Sequence, residues 1–249
     1  METRKISLAY RALKWIAKAL FPKMRVEGLE NIPAGGAVIV GNHAHAYGPV
    51  GAELYLGSNR YTWCAAEMMN LKEVPAYAFQ DFWSMKPRYT HLFFKMLSYL
   101  AAPLSVLIFN NANTVPVYHD VRVMKTFRET LRLLREGKNI VVFPEHVVPR
   151  NNIVYDFQDR FIDLGRMYYN LTQKELSFVP MYIAPRLKKI ILGKPIRYRS
   201  DAFMDQERRR IKEELMEAVT ALGRSQPRHI VIPYAVIPQK DYPFNRDES

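Results

Sequence analysis

Short apolar runs alternate along most of this chain with longer segments of helical period. The runs at 37–41, 61–65, 114–118, 139–143 and 178–183 are rich in Val, Ile and aromatic residues and predict strands. Residues 189–192 and 229–232 carry a weaker form of the same signal. Helical periodicity marks 121–135, closed by Gly137, then 156–171, then 205–222, closed by Gly223. Strands separated by helices predict an α/β fold, a mostly parallel sheet flanked by helices. In such sheets functional groups gather beyond the carboxyl ends of the strands, and the stretch GNHAHAYGP, 41–49, follows the first strong run. Gly48-Pro49 reads there as a turn.

Three segments depart from the alternation. At the amino terminus, residues 4–21 place Arg4, Ser7, Arg11, Lys14 and Lys18 on one stripe at helical spacing and apolar residues over much of the rest, with Pro22 as the stop. This amphipathic helix is suited to a membrane interface, or to docking on the protein's own core. Its recurring basic residues do not fit a cleaved signal or a simple span. Residues 91–109 are apolar enough to suggest a membrane segment, but Lys95 and Pro103 interrupt them, so a buried helical hairpin and a shallow membrane-dipping element both remain. The tail from 239 to 249 is polar. The division that results is 1–25 as an interfacial helix, 26–238 as an α/β domain with a hydrophobic insertion at about 76–112, and 239–249 as a flexible tail.

Composition sharpens this picture. The 249 residues are 49% hydrophobic, which suits one large domain. Lys and Arg number 36 against 24 Asp and Glu, a net charge of +12 that favours an anionic partner. No zinc-knuckle spacing, RNA-binding aromatic signature or zipper repeat accompanies that charge, so nucleic acid is not expected and a membrane surface with anionic lipid is. A single cysteine, Cys64, lies in an aromatic strand-like run and reads as a buried inert thiol in a reducing compartment. The His and Asp spacings suggest no metal site.

Four patterns occur in order: Asn42-His43 after a strand, TVPVY at 114–118, VVFPE at 141–145, and VPMYIAP at 179–185. The ordered set resembles the glycerolipid (lysophosphatidic acid type, 1-acylglycerol-3-phosphate) acyltransferase family, with its NH-x4-D, GxIPVxR, FPEGTRS and VPV blocks, over about residues 26–198. The resemblance implies a glycerolipid acyltransferase-like fold and transfer of a fatty acyl group from a thioester donor to a lipid acceptor. Acyl-CoA or acyl carrier protein would be the co-substrate, with no cofactor or metal. It implies action at the cytoplasmic face of the membrane by a peripheral or monotopic protein. His43 matches the general base, and a neutral imidazole suits that role.

The chain departs from the pattern at three positions. Gly48 stands where the aspartate that orients the histidine is expected, Val148 where an arginine binds acceptor phosphate, and His119 where a second arginine belongs. Glu145, His45 and Asp120 are the candidates to support His43, with Glu145 taken as the second catalytic residue. Asn42, His119, Arg122, His146 and Arg150 are the candidate substrate-binding residues. The alternative reading is a non-catalytic peripheral lipid-binding protein of the same fold.

Overall fold

In the computed structural model, which describes residues 7–84 and 86–246, the elements run in chain order as follows. They are α1 (Leu8–Leu20), β1 (Arg25–Glu27), β2 (Val38–Gly41), α2 (Tyr47–Tyr55), β3 (Arg60–Ala65), α3 (Val74–Ala78), α4 (His91–Asn111), β4 (Thr114–Val117), α5 (Val123–Arg135), β5 (Asn139–Val142), β6 (Glu145–Pro149), β7 (Tyr155–Phe157), α6 (Leu164–Thr172), β8 (Ser177–Ala184), β9 (Lys189–Leu192), β10 (Ile196–Arg197) and α7 (Met204–Ser225). The chain forms two compact units, each discontinuous in sequence. The larger takes Phe21–Thr62 and everything from Phe127; the smaller takes the chain up to Leu20 and Trp63–Thr126. This partition differs from a linear division at residues 25 and 238.

The larger unit holds the strands β1-β9-β8-β2-β5-β3 in that order, with β10 beside β8. Pairs β1/β9, β2/β8, β2/β5 and β3/β5 are parallel, while β8/β9 and β8/β10 are antiparallel. The sheet is therefore mostly parallel. β2 and β8 sit at its centre, and every residue of both is buried, which is why they read as unbroken apolar runs. Ile39, Val141, Val179, Met181, Ile183 and Ile190 form the core of one cluster. α7 packs along β8 through the buried stripe Ile211, Leu215, Met216 and Val219.

Several expectations need correction here. Residues 47–55 form a helix, so Gly48-Pro49 is its first turn, where proline's missing N–H is harmless. The helix expected from 156 begins only at Leu164, because Tyr155–Phe157 pairs with β6 and a 3₁₀ turn covers Arg160–Asp163. Residues 229–232 make no strand: prolines at 227, 233, 238 and 243 break the ladder, leaving one bridge between Ile230 and Phe244. That bridge, with Val231 N–H donating to the Pro243 carbonyl, turns the carboxyl-terminal segment back on itself.

In the smaller unit, α3 and α4 pack through Val74, Ala78 and Ala102, with Trp83 and Val106 against them. Residues 91–111 form one helix and not a hairpin; Pro103 lies inside it. Of the expected amino-terminal helix, Leu8–Leu20 is seen, and Arg4 to Ile6 lie outside the described residues. Its start is tied to the end of α4, the Ser7 N–H donating to Asn111 Oδ1 at 3.0 Å.

Candidate active site

β2 ends at Gly41, and the next side chain continues its ladder. The Asn42 amide donates from Nδ2 to the Ile183 carbonyl at 3.2 Å, and its Oδ1 accepts the Ile183 N–H at 2.8 Å. Asn42, expected to bind substrate, thus has its amide committed to β8; it fixes where the chain leaves the sheet. His43 follows, and then two consecutive residues adopt left-handed backbone, Ala44 at φ 44° and His45 at φ 53°. Non-glycine residues there cost roughly 1–2 kcal/mol each, so the surroundings must enforce the turn.

Two bonds close that turn. Tyr47 N–H donates to the Ala44 carbonyl at 3.1 Å and Gly48 N–H to the His43 carbonyl at 3.0 Å. Position 48 is pressed so tightly on His43 that a Cβ there would lie 2.3 Å from the His43 carbonyl oxygen and 3.0 Å from the Phe143 ring. Glycine is what allows the turn to close. The same contact leaves no space for the aspartate that the resemblance calls for.

Glu145 supplies the second constraint. It begins β6, just beyond β5, the strand that pairs with β2, and it is 3% exposed. Its Oε2 accepts the His43 N–H at 2.5 Å and its Oε1 the Tyr155 N–H at 2.9 Å. The carboxylate therefore grips the main chain of His43, not its ring. Burial pushes the carboxyl up to about 7, against the two N–H donors, which favour the charged form.

The imidazole of His43 lies between two aromatic rings. Phe143 meets it edge to face at 5.4 Å between centroids, and Tyr234 does so at 5.9 Å from the carboxyl-terminal segment. Burial is the main cause that lowers its proton affinity; backbone oxygens at His45 and His43 oppose this, and electrostatic repulsion from His45 adds to it. Burial thus favours the neutral ring, the form a general base requires. His45 has a buried Nε2 without a hydrogen-bond partner and packs edge-on against Tyr242 at 6.3 Å.

The other candidates are engaged elsewhere. His146 Nε2 lies 2.9 Å from Asp156 Oδ2, and Lys212 Nζ lies 2.8 Å from Asp156 Oδ1. Burial would raise the Asp156 carboxyl, but the Lys212 and His146 bonds together hold it below its ordinary value. Arg150 pairs with Glu213 at 2.7 Å. His146 of β6 and Arg150 just after it, both offered for phosphate, are thus matched to acids. Arg122 belongs to the smaller unit; its guanidinium takes both Asp120 oxygens, at 3.0 and 2.7 Å, and lies over the Tyr118 ring. Asp120, spent on Arg122, and the exposed His119 are in that unit too. Arg122 and Tyr118 line a cavity of about 330 Å³ with Asn70 and Glu73.

Sequence reasoning missed Tyr155 and Tyr234. Tyr234 stands in a proline-broken segment without period or motif, so only the folded chain reveals it. Tyr155, whose ring meets that of Tyr234 at 5.9 Å, extends the aromatic group.

A model of the acyltransferase family matches residues 23–184. Among solved structures, the 1-acyl-sn-glycerophosphate (LPA) acyltransferase PlsC of Thermotoga maritima superposes with a TM-score of 0.50 at 14% identity, over 88% of this chain and 80% of that one. This is a likeness of fold. No curated protein sequence matches the chain.

Three outcomes follow from the geometry. Gly48→Asp and Gly48→Ala each lose about 1–3 kcal/mol of stability in urea unfolding, and the aspartate gives no gain in activity. Glu145 holds its proton more tightly when folded, at about 7 against an ordinary 4.5. Its burial therefore carries no charge penalty below pH 4.5; the penalty grows as the pH rises from 4.5 to 7 and is fully present above that, at about 3 kcal/mol. Urea unfolding across that range should show wild type losing this much relative to Glu145→Gln as the pH rises. Finally, in an NMR titration the His43 ring titrates below ~6.5; Tyr234→Ala, which opens the ring to water, moves it toward ~6.5, whereas Tyr234→Phe does not.

Proposed function

This chain belongs to the acyltransferase family, and on that premise we propose that it moves a fatty acyl group from a thioester donor, acyl-CoA or acyl carrier protein, to a lipid acceptor, with His43 as general base. The observation that carries the reading is the half-buried neutral imidazole at the carboxyl end of a central strand, fixed by the Glu145 clamp on its own N–H. His43 takes the proton of an acceptor hydroxyl as the oxygen attacks the thioester carbonyl. The tetrahedral adduct then collapses, the carbon–sulfur bond breaks, and the imidazolium returns the proton to the leaving thiolate. Glu145 acts on this only through the placement of His43; it is a positioning residue.

An orienting carboxylate contributes up to about 10⁴-fold in a triad enzyme, chiefly by fixing the tautomer and orientation of the histidine. Here Phe143 and Tyr234 limit the ring's orientation without stabilising the imidazolium. The base is accordingly weak. The acceptor follows from charge: Val148 offers no donor, and His146, Arg150 and Arg122 are paired with Asp156, Glu213 and Asp120. A phosphate would have to break those pairs. Simple lysophosphatidic acid is therefore a poor acceptor, and uncharged or amine-bearing lipids are preferred.

The fold's likeness to a 1-acyl-sn-glycerophosphate acyltransferase supports a glycerolipid-type acceptor. α1 supports membrane attachment: Arg11 and Lys18 are exposed along one stripe, while Leu8, Trp15 and Leu20 point outward beside it. We place the protein at the cytoplasmic face of an anionic membrane, peripheral or monotopic. The closed space at Gly48 favours a second reading, a lipid-binding protein without turnover. One assay separates the two: purified protein with acyl-CoA or acyl carrier protein thioesters and lysophosphatidic acid, uncharged or amine-bearing acceptors. The expected result is thiol release that falls at least ~10²-fold in His43→Ala and is smallest with lysophosphatidic acid. Release that is absent, or indifferent to His43, supports the non-catalytic reading. Efficient use of lysophosphatidic acid that survives Arg150→Ala and Arg122→Ala overturns the acceptor assignment.

A further inference from the structure

α4 is built inside out. Its packed face carries Ser98, Ala102 and Ser105, all buried, whereas Leu92, Phe93, Met96, Tyr99, Leu100 and Leu104 face solvent. Leu92 is 73% exposed and Leu100 77%. At 100° per residue these six residues share one arc, opposite the three small ones. In water this arrangement has the wrong sign, since burying a leucine is worth about 1.5–3 kcal/mol that α4 forgoes. We propose that the outer face of α4 is a bilayer-inserted platform, lying in the membrane plane and not crossing it. The inference rests on the membrane attachment proposed above and names a second, separate element that makes it.

Length alone would permit a span: the most apolar 18-residue stretch within Arg88–Asn111 has a mean hydropathy of 1.8. The packed face argues for the plane. Ser105 Oγ donates to the Met68 carbonyl and Asn110 Nδ2 to the Met69 carbonyl, each at 3.0 Å, while Ala102 packs against α3. A helix bound along one side to polar backbone cannot enter hydrocarbon on all sides without stripping those bonds. Half-insertion retains every one of them.

Charge selects the occupant. Lys86, Arg88 and Lys95 are exposed about the amino-terminal half of α4, Tyr89 is 88% exposed beside them, and α1 of the same unit adds Arg11 and Lys18. A second copy docked on this face would set cation against cation. An anionic lipid surface accepts both the apolar arc and its basic border, with the tyrosines at headgroup level.

The test uses the full chain with Cys64→Ser and single cysteines at Phe93, Leu100, Leu104 or Ser98, each labelled with nitrobenzoxadiazole. The labels are mixed with vesicles of phosphatidylcholine and phosphatidylglycerol carrying doxyl lipids at graded depth. Emission is expected to rise several-fold at 93, 100 and 104, with one common shallow quenching depth, and to stay unchanged at 98. Leu100→Asp, at an exposed site that folding does not need, should weaken vesicle binding about tenfold or more while leaving the melting temperature in place. No response at the three outer labels overturns the platform, as does deep quenching at 100 with shallow ends, the profile of a span. Labels already shielded in a lipid-free dimer assign the face to a second copy and overturn it equally. Thioester turnover and charge reversal on α1 are read separately, so failure of the catalytic or α1 reading is distinguishable from failure here.

Discussion

A single buried carboxylate holds the centre of this protein together. Glu145 accepts one N–H from the loop after β2 and one from the start of β7, so it joins the exit of the central strand to the β6–β7 pair. Both donors are main chain, and neither bond depends on the side chain that follows. The position of His43 is therefore fixed by backbone even where the usual side-chain support is missing. The cost is electrostatic: a carboxylate with two donors and little water titrates near neutrality.

Around that clamp, shape does what charge does elsewhere. Phe143 and Tyr234 bound the imidazole, and Tyr155 backs Tyr234. Aromatic edges restrict rotation and exclude water, but they give no stabilisation to an imidazolium comparable to that of an adjacent carboxylate. Such a site orders the imidazole by shape more than by charge.

What the sequence disclosed followed the physics of burial. β2, β5 and β8 were legible as apolar runs because both faces of each are covered, and α5 and α7 through their periodicity; Gly137 does close α5, but α7 runs through the buried Gly223 to Ser225 and does not end at it. Proximity of His43 to Glu145 was legible because their blocks end neighbouring strands. The partner of Glu145 was not, since a main-chain acceptor role leaves no trace in residue type. α2 was missed because HAHAYGP has neither period nor cap, and its proline resembles a turn. The commitments of Asn42, His146 and Arg150 depend on Ile183, Asp156 and Glu213, 141, 10 and 63 residues away, and no local pattern announces them. Hydrophobicity alone also left α4 ambiguous, because only the packed structure tells which side of an apolar helix is already taken.

The left-handed pair Ala44 and His45, closed by Gly48, has a consequence for how such a chain changes over generations. With the His43 carbonyl so close to where a Cβ at 48 would go, a carboxylate cannot be accommodated there by altering one codon while the turn stays as it is. Any path to a side chain at 48 must first loosen the turn, which would move His43 relative to Glu145 and expose every intermediate to loss of function. Selection is then confined to one side of a barrier. It can alter the aromatic enclosure of His43, while a carboxylate at 48 stays out of reach.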